Sequence, residues 1–477
     1  MEVMNWVLGL LIAQGALGAI DTVYHHELTV ALPRRRSAQK ELTIHAIRAL
    51  LYAIVFASIA NVDFHGNWVF FIAALVIVEV FLTLWDFVLE DDSRKLPSTE
   101  RILHTILAIN GGALFGLYAW QLAQWWHLPT ALVHVDHGWQ GMLLTLFAIG
   151  VVLSGVRDGL AAVALAKATV PHNPFSGQSH RKILVTGGTG FIGEALVSQM
   201  LDAGHEVTVL ARDPLRAAYL FDGRARCVRD VATLDSSEHF HAVINLAGAP
   251  VVGARWSAKR KAQLLASRMG TTQKLVNWFA KAKTCPATWI QASAIGFYGV
   301  RPASEILTED SSRGEGFMAE LCASWEAAAV AAETLGARYV CLRFGLVFGP
   351  GGALPSLLLP YRFGFGGRLG DGQQMMSWIH RDDLLKIVAE TMNNDSLRGI
   401  YNAVAPESVT QAQFAKTVGQ VLIRPVWLHT PASLIRWLAG EMAQLFVDGQ
   451  NVTPKRLVDC GFQFRYPTLV SAIRDLA

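Results

Sequence analysis

The chain has 477 residues, 52% of them hydrophobic and only 17% charged, well under the roughly 25% of soluble domains, so part of it belongs in lipid. A net charge of +3 without any long Lys/Arg run argues against nucleic acid as a partner. The five cysteines (Cys227, Cys285, Cys322, Cys341, Cys460) lack CxxC spacing and all follow residue 180, which argues for a reducing compartment and against a metal-thiolate site.

Five apolar runs come first, at 3–20, 43–60, 68–88, 102–126 and 139–156, each near the ~20 residues a helix needs to cross hydrocarbon. ALGA at 16–19 resembles a cleavage site, but no Lys or Arg precedes the first run, so we read it as a retained helix. PRRR (33–36) with Lys40 follows the first run, and Arg94, Lys95 and Arg101 follow the third. The connections at 61–67 and 127–138 contain no Lys or Arg, whereas Arg157 and Lys167 follow the fifth run. The positive-inside rule then predicts five spans in a bacterial-type inner (plasma) membrane, N-terminus outside and C-terminal half cytoplasmic. Trp68, Trp125 and Trp126 fall where outer interfacial aromatics belong.

At the inner ends of the first four spans, ionisable residues repeat four apart: Asp21/His25, Glu41/His45, Asp86/Glu90 and Glu100/His104. Such pairs share a helix face, and Glu79 lies two turns before Asp86, deep in the third span. LPRRRSAQKELTIHAI (32–47) and LPSTERILHTILAI (96–109) form a weak repeat that predicts similar depths for His45 and His104. Carboxylates and imidazoles pointing inward from four helices are the logic of carboxylate-bridged metal bundles, although those use Glu-x-x-His. His25, His45, Glu79, Asp86, Glu100 and His104 are therefore candidate metal ligands. Haem or quinone contacts and plain interfacial salt bridges remain open for the same residues. HVDH (134–137) is read as an ordinary outer polar loop.

The expected domains are a membrane domain at 1–170, a linker at 171–180 (PHNPFSGQSH), a nucleotide-binding domain at 181–424 and a small helical domain at 425–477. KILVT (182–186) reads as a buried parallel strand, and Gly187, Gly190 and Gly193 follow it ahead of the helical pattern FIGEALVSQMLDAG. Glycines so placed let the backbone approach a pyrophosphate held at a helix N-terminus. EVTVLAR (206–212) is the second strand, where Arg212 suits a 2′-phosphate and so NADP(H), with Asp213 next to it keeping NAD(H) open. AVINLAG (242–248) and TWIQASAIGFYG (288–299) add strands, giving a doubly wound α/β Rossmann fold.

TGGTGFIG, NLAG, QASAIGFYG, LRFGLVFGPGG and SWIHRDDL together resemble the extended short-chain dehydrogenase/reductase superfamily, and within it the atypical NAD-dependent epimerase/dehydratase branch. GEMAQLFVDGQNVTPKRLVDCGFQFRYPTL (440–469) resembles the small tail domain of that branch. The resemblance covers about 181 to 477. It implies cofactor contacts at Gly187, Gly190, Phe191, Ile192, Gly193, Arg212, Asn245, Ala247, Gly248 and Ser293, and a substrate pocket between the sheet and 350–378.

The superfamily's acid/base unit is Tyr-x-x-x-Lys, in which the Lys depresses the Tyr pKa. Aligned on Glu326, the helix FMAELCASWEAAA (317–329) has Met318 and Cys322 at those positions, and neither can do the work. Candidate replacements are Ser293 with Tyr298, then Glu320 and His380, with Arg343 available to an anionic substrate. Each has a plain structural reading beside it: a strand-end turn for Tyr298, a solvated face for Glu320, a satisfied imidazole for His380. Three functions follow. One is a membrane-anchored NADP(H)-dependent epimerase-like oxidoreductase acting on a small or lipid-linked substrate. Another is a non-catalytic dinucleotide sensor or scaffold, and the last is a metal centre among the helices served by the nucleotide domain.

Overall fold

The computed structural model describes residues 2–29, 32–34, 38–93, 96–167 and 173–476. Arg35, Arg36, Arg94 and Lys95 of the basic loops and the first two linker residues lie outside them. The chain folds as two compact units, 1–170 and 171–477.

The first unit is built on α1 (Glu2–Asp21), α2 (Gln39–Asn61), α3 (Trp68–Ser93), α4 (Ser98–Trp125) and α5 (Gly138–Lys167). All five are long and apolar enough to cross a membrane. Their outward surface carries Phe81, Trp85, Ile109 and Leu153, while Asp21, Glu41, Glu79, Asp86, Glu90 and Glu100 are buried inside. Hydrocarbon would accept such an exposed apolar surface but not an unpaired carboxylate, and these carboxylates lie inside beside an apolar core that includes Leu8, Phe56 and Leu114. Small residues let α2 and α5 approach closely: a Cβ on Gly155 would lie 2.7 Å from Ala49 Cβ. Beyond Asp21 the first helix widens into a π-helical stretch, Thr22–Thr29.

The second unit is organised around seven parallel strands: β1 (Lys182–Thr186), β2 (Glu206–Leu210), β3 (Arg226–Val228), β4 (Ala242–Asn245), β5 (Thr288–Ala294), β6 (Arg338–Phe344) and β7 (Gly399–Ala403). Their order is β7-β6-β5-β4-β1-β2-β3. The central strands are mostly apolar in mid-length because helices cover both faces, and their polar residues gather toward the strand ends. α6 (Phe191–Asp202) and α9 (Arg381–Asn393) supply Leu196, Met200, Leu384 and Val388 to one core layer. α7 (Ala258–Phe279) and α8 (Phe317–Thr334) supply Leu275, Phe279, Ala329 and Ala332 to the other. Connections reverse direction between β1 and β4, and the crevice at such a switch point, beyond the strand C-termini, is where this architecture takes ligands.

Two expected boundaries look different in three dimensions. The linker is docked from Asn173 onward: Asn173 Nδ2 donates to Gln199 O at 2.7 Å, and Phe175 is fully buried in the sheet's core. Residues 425–477 do not stand apart either. Strand Val426–Thr430 pairs with Gly366–Leu369, and Asn451–Val452 pairs with Ile306–Leu307.

Candidate functional site

The crevice is shaped first by glycine. Gly187 adopts φ +69°, and a Cβ there would lie 2.7 Å from Leu246 O at the end of β4. A Cβ on Gly193 would run into Gly187 O and lie 2.7 Å from Gly188 Cα, closer than any side chain tolerates. The loop is thus folded tightly against Leu246–Gly248, and Gly190 caps α6 with its carbonyl accepting from Glu194 N at 2.8 Å. This leaves the helix N-terminus open toward a ligand. Phe191 packs elsewhere than expected: Gly349, Gly351 and Gly352 crowd its ring, so it supports the GPGG loop. Ile192 likewise packs on the core.

At the end of β2, Arg212 is exposed. The neighbouring Asp213, also exposed, caps the helix Pro214–Leu220, its Oδ1 accepting from Arg216 N at 3.1 Å. Asn245 is also engaged internally. Fully buried, it accepts from Thr186 Oγ1 at 2.6 Å and donates to Thr272 Oγ1 (2.8 Å) and Gln291 Oε1 (2.9 Å), tying β1, α7 and β5 together. Ala247 N closes the same network on Thr186 Oγ1 at 3.2 Å.

Ser293 and Tyr298 belong to one buried chain of polar groups. Ser293 Oγ donates to Glu326 Oε1 at 2.6 Å, and Glu326 takes Arg343 in a bidentate pair, Nε at 2.9 Å and Nη2 at 2.8 Å. Arg343 Nη1 reaches Tyr298 OH at 3.0 Å, and that hydroxyl donates to Asn402 Oδ1 at 2.7 Å. Ser293, Arg343, Tyr298 and Asn402 are each 2% exposed or less. Burial pushes the Tyr298 phenol up, with the Arg343 charge opposing. In this arrangement Tyr298 has no path to a substrate and Arg343 is neutralised by Glu326, so neither expected role is met by the geometry.

The remaining expectations separate in the same way. His380 caps α9, its Nδ1 accepting from Asp382 N at 3.1 Å, and its buried Nε2 lies 3.3 Å from Asp475 Oδ2, which gives the imidazole a structural role. Glu320 is exposed and lines a cavity of ≈ 500 Å³ with Lys261, Arg313, Phe317 and Glu441. Met318 and Cys322 do face the end of β5, as the alignment on Glu326 requires: a Cβ on Gly296 would meet Met318 Cε at 3.1 Å and Cys322 Sγ at 3.7 Å. Burial first, then Glu326, pushes the Cys322 thiol up to about 11, so it is no nucleophile at neutral pH.

Arg268, on α7, was not anticipated from the sequence. Its guanidinium fills the space over Gly248, where a Cβ would be 2.8 Å from Cζ, and it lies 5.0 Å over the Trp325 ring. Nη1 donates to Ala249 O and Leu264 O at 3.2 Å each. Burial pulls its pKa down, and among the described residues no carboxylate forms an ion pair with it. The only signal was an Arg one turn into the core-facing stretch LLASRMGTT, which reads as an ordinary helical residue.

In the helical unit the acid/imidazole side chains do converge, with altered partners. Glu79 and Asp86 are both answered by Arg48 of α2, at 3.1 Å for Glu79, and Thr83 also donates to Glu79. A deep carboxylate with its own guanidinium needs no metal, so Glu79 leaves the ligand set. His25 is engaged at both ring nitrogens, with Asp21 Oδ1 (2.7 Å) and Thr99 Oγ1 (3.2 Å), and is a supporting residue. His104 lies between Asp21 (3.0 Å) and Glu90 (3.3 Å), and His45 between Asp86 (3.3 Å) and Glu90 (3.8 Å), so Glu90 links the two repeat histidines. His26, overlooked in the sequence, points to the same centre, 3.4 Å from Asp21 and 3.6 Å from Glu100.

Comparison with known proteins agrees with the fold. The model of the NAD dependent epimerase/dehydratase family matches residues 183–403, and a domain of unknown function matches 430–476. An epimerase family protein of Bacillus subtilis is 36% identical over 296 residues, 62% of this chain and 97% of its own length. One from Bos taurus is 36% identical over 301 residues, 62% of this chain and 99% of its own. The crystal structure of a human epimerase family protein with NADPH is 34% identical, with a TM-score of 0.56 over 62% of this chain and 99% of that one. With ordered motifs, sheet order and near-complete coverage of these relatives in agreement, the chain belongs to the NAD dependent epimerase/dehydratase family.

Proposed function

We propose that the protein is a membrane-anchored, NADP(H)-binding, epimerase-like oxidoreductase whose C-terminal unit works at the cytoplasmic face on a small or lipid-linked substrate. The observation that carries the cofactor is the pairing of a tight glycine cradle with an exposed Arg212 whose acidic neighbour Asp213 is engaged as a helix cap. Gly187, Gly190 and Gly193 would admit the pyrophosphate, and Arg212 the 2′-phosphate. Arg268 would compensate negative charge near Gly248, since a buried cation without a counter-charge costs several kcal/mol. Bound NADP(H) supplies or accepts a hydride. The human relative crystallised with NADPH and the five apolar helices support this reading.

Two variants test it. Arg212→Ala should weaken NADPH binding by about tenfold, some 1.4 kcal/mol, and leave NADH unchanged, as read by nucleotide fluorescence titration of the full-length protein. Equal losses for both nucleotides would remove Arg212 from phosphate recognition. Arg268→Met should weaken NADPH binding by a similar ~10-fold while leaving the unit as stable or more so, because it removes an uncompensated buried charge. Unchanged affinity with lower stability would make Arg268 a packing residue.

The buried Ser293–Glu326–Arg343–Tyr298 chain favours a second reading, a dinucleotide-occupied sensor or scaffold. NADPH oxidation by the full-length protein with membrane lipid extracts and quinones separates the two. Turnover above that of a Gly193→Val variant supports the enzyme, and its absence across these acceptors supports the scaffold.

A further inference from the structure

We propose that Asp21, His26, Glu100 and His104 hold one divalent transition-metal ion inside the helical bundle, a site independent of the nucleotide crevice. One ligand atom from each of the four lies within 4.8 Å of all the others. Three separations define the sphere: His104 Nε2 to Asp21 Oδ2 is 3.0 Å, His26 Nε2 to Asp21 Oδ2 is 3.4 Å, and His26 Nε2 to Glu100 Oε1 is 3.6 Å. Bonds of ~2.0–2.1 Å to a tetrahedral ion put neighbouring ligands ~3.3–3.4 Å apart, so these atoms already stand near the edges of such a sphere.

The backbone explains how the set assembles. Glu100 and His104 are four apart on α4 and share a face. Asp21 and His26 are five apart, a spacing that an ordinary α-helix would splay, but the stretch Thr22–Thr29 is π-helical, with hydrogen bonds to the fifth residue. Its wider turn brings His26 round beneath Asp21. π-helical turns of this kind are uncommon and concentrate at functional sites.

An outer shell is in place. His25 Nδ1 bonds the second oxygen of Asp21 at 2.7 Å and is itself held by Thr99. Glu90 lies 3.3 Å from Nδ1 of His104, orienting its other nitrogen toward the centre. The His26 ring stacks on that of His45 at 4.8 Å and 8°. Metal-bound histidines and carboxylates are commonly fixed through such second contacts. Two carboxylates would neutralise a divalent ion, giving a site without net charge in a low-dielectric bundle. Two imidazoles and two carboxylates, with no thiolate, suit iron, manganese or zinc better than copper(I) or calcium. A second group, His26, His45 and Glu90, shares His26 and offers three donors, so the single ion is assigned to the four-donor group.

The test uses the full-length protein in mild detergent, stripped with chelator and titrated with Co2+ alone. Wild type should take up about one ion per chain and show the visible bands of a low-symmetry Co(II) centre. His26→Gln and His104→Gln should each abolish uptake at unchanged helical content, while His45→Gln retains it. No uptake by wild type, or equal uptake by either of the first two variants, overturns the assignment. Should those variants fail to fold, pulsed EPR of the Mn2+-loaded wild type decides the same question. Coupling to two imidazole nitrogens supports the site, and no such coupling overturns it. None of these readings depends on NADPH, so the nucleotide reading and this one fail separately.

Discussion

Replacing Glu326 with alanine is expected to destabilise the C-terminal unit by about 3–5 kcal/mol, because it leaves Arg343 buried with its charge unanswered. Glu326 is the hub of the polar chain beneath the crevice, taking Arg343 through both oxygens at 2.8–2.9 Å and Ser293 at 2.6 Å. The arginine cannot turn to water, since it is 2% exposed and its guanidinium lies 3.4 Å from the Phe297 ring centroid. Amide hydrogen exchange over β5 and β6 in the full-length protein measures the effect locally, without assuming that both units unfold together. A Glu326→Met/Arg343→Met double variant should recover much of the loss by removing both charges at once. If the double variant instead shows the sum of two independent penalties, the pair is not the source of the cost.

The second large effect is expected at Gly193. Gly193→Ala should reduce NADPH affinity by about 100-fold, ~2.7 kcal/mol, because its Cβ would collide with Gly187 O and lie 2.7 Å from Gly188 Cα. Both obstacles are backbone, so the loop itself must open and lose the shape that admits a pyrophosphate. Gly190→Ala offers an internal scale: its Cβ would meet Gly187 O at 3.3 Å, a contact that relaxes with a small shift. A graded loss, severe at Gly193 and mild at Gly190, supports the cradle. Equal effects at the two positions, or none at Gly193, would mean the cofactor does not lie along this loop.

Short-range interactions are written in consecutive residues, and long-range ones are not. Five apolar helices were legible because the solvent preference of a span is a property of consecutive residues. Strand β1, the glycine turn and α6 were legible for the same reason, since backbone clashes between Gly187 and Gly193 arise within seven residues. The nucleotide end of the crevice was legible through that same glycine turn. What filled it was harder to see. Asn245, taken as a cofactor contact, has its amide engaged by Thr186, Thr272 and Gln291. Asp213, the residue that left NAD(H) open, is a helix cap.

In the bundle, an α-helical spacing of four led to His25, and the π-helical turn substituted His26. Arg48 was overlooked because its partners Glu79 and Asp86 are 31 and 38 residues away. The sequence by itself therefore determined the five apolar helices of the first half, the α/β class of the second, the glycine cradle and the loss of the Tyr/Lys pair, all of which depend on residue identity over short spans. Only the tertiary structure decided which polar groups face a ligand and which face one another. A buried donor or acceptor takes whichever partner folding brings near. That pairing sealed Tyr298 against Arg343 and Asn402, and left Arg268 without a carboxylate among the described residues.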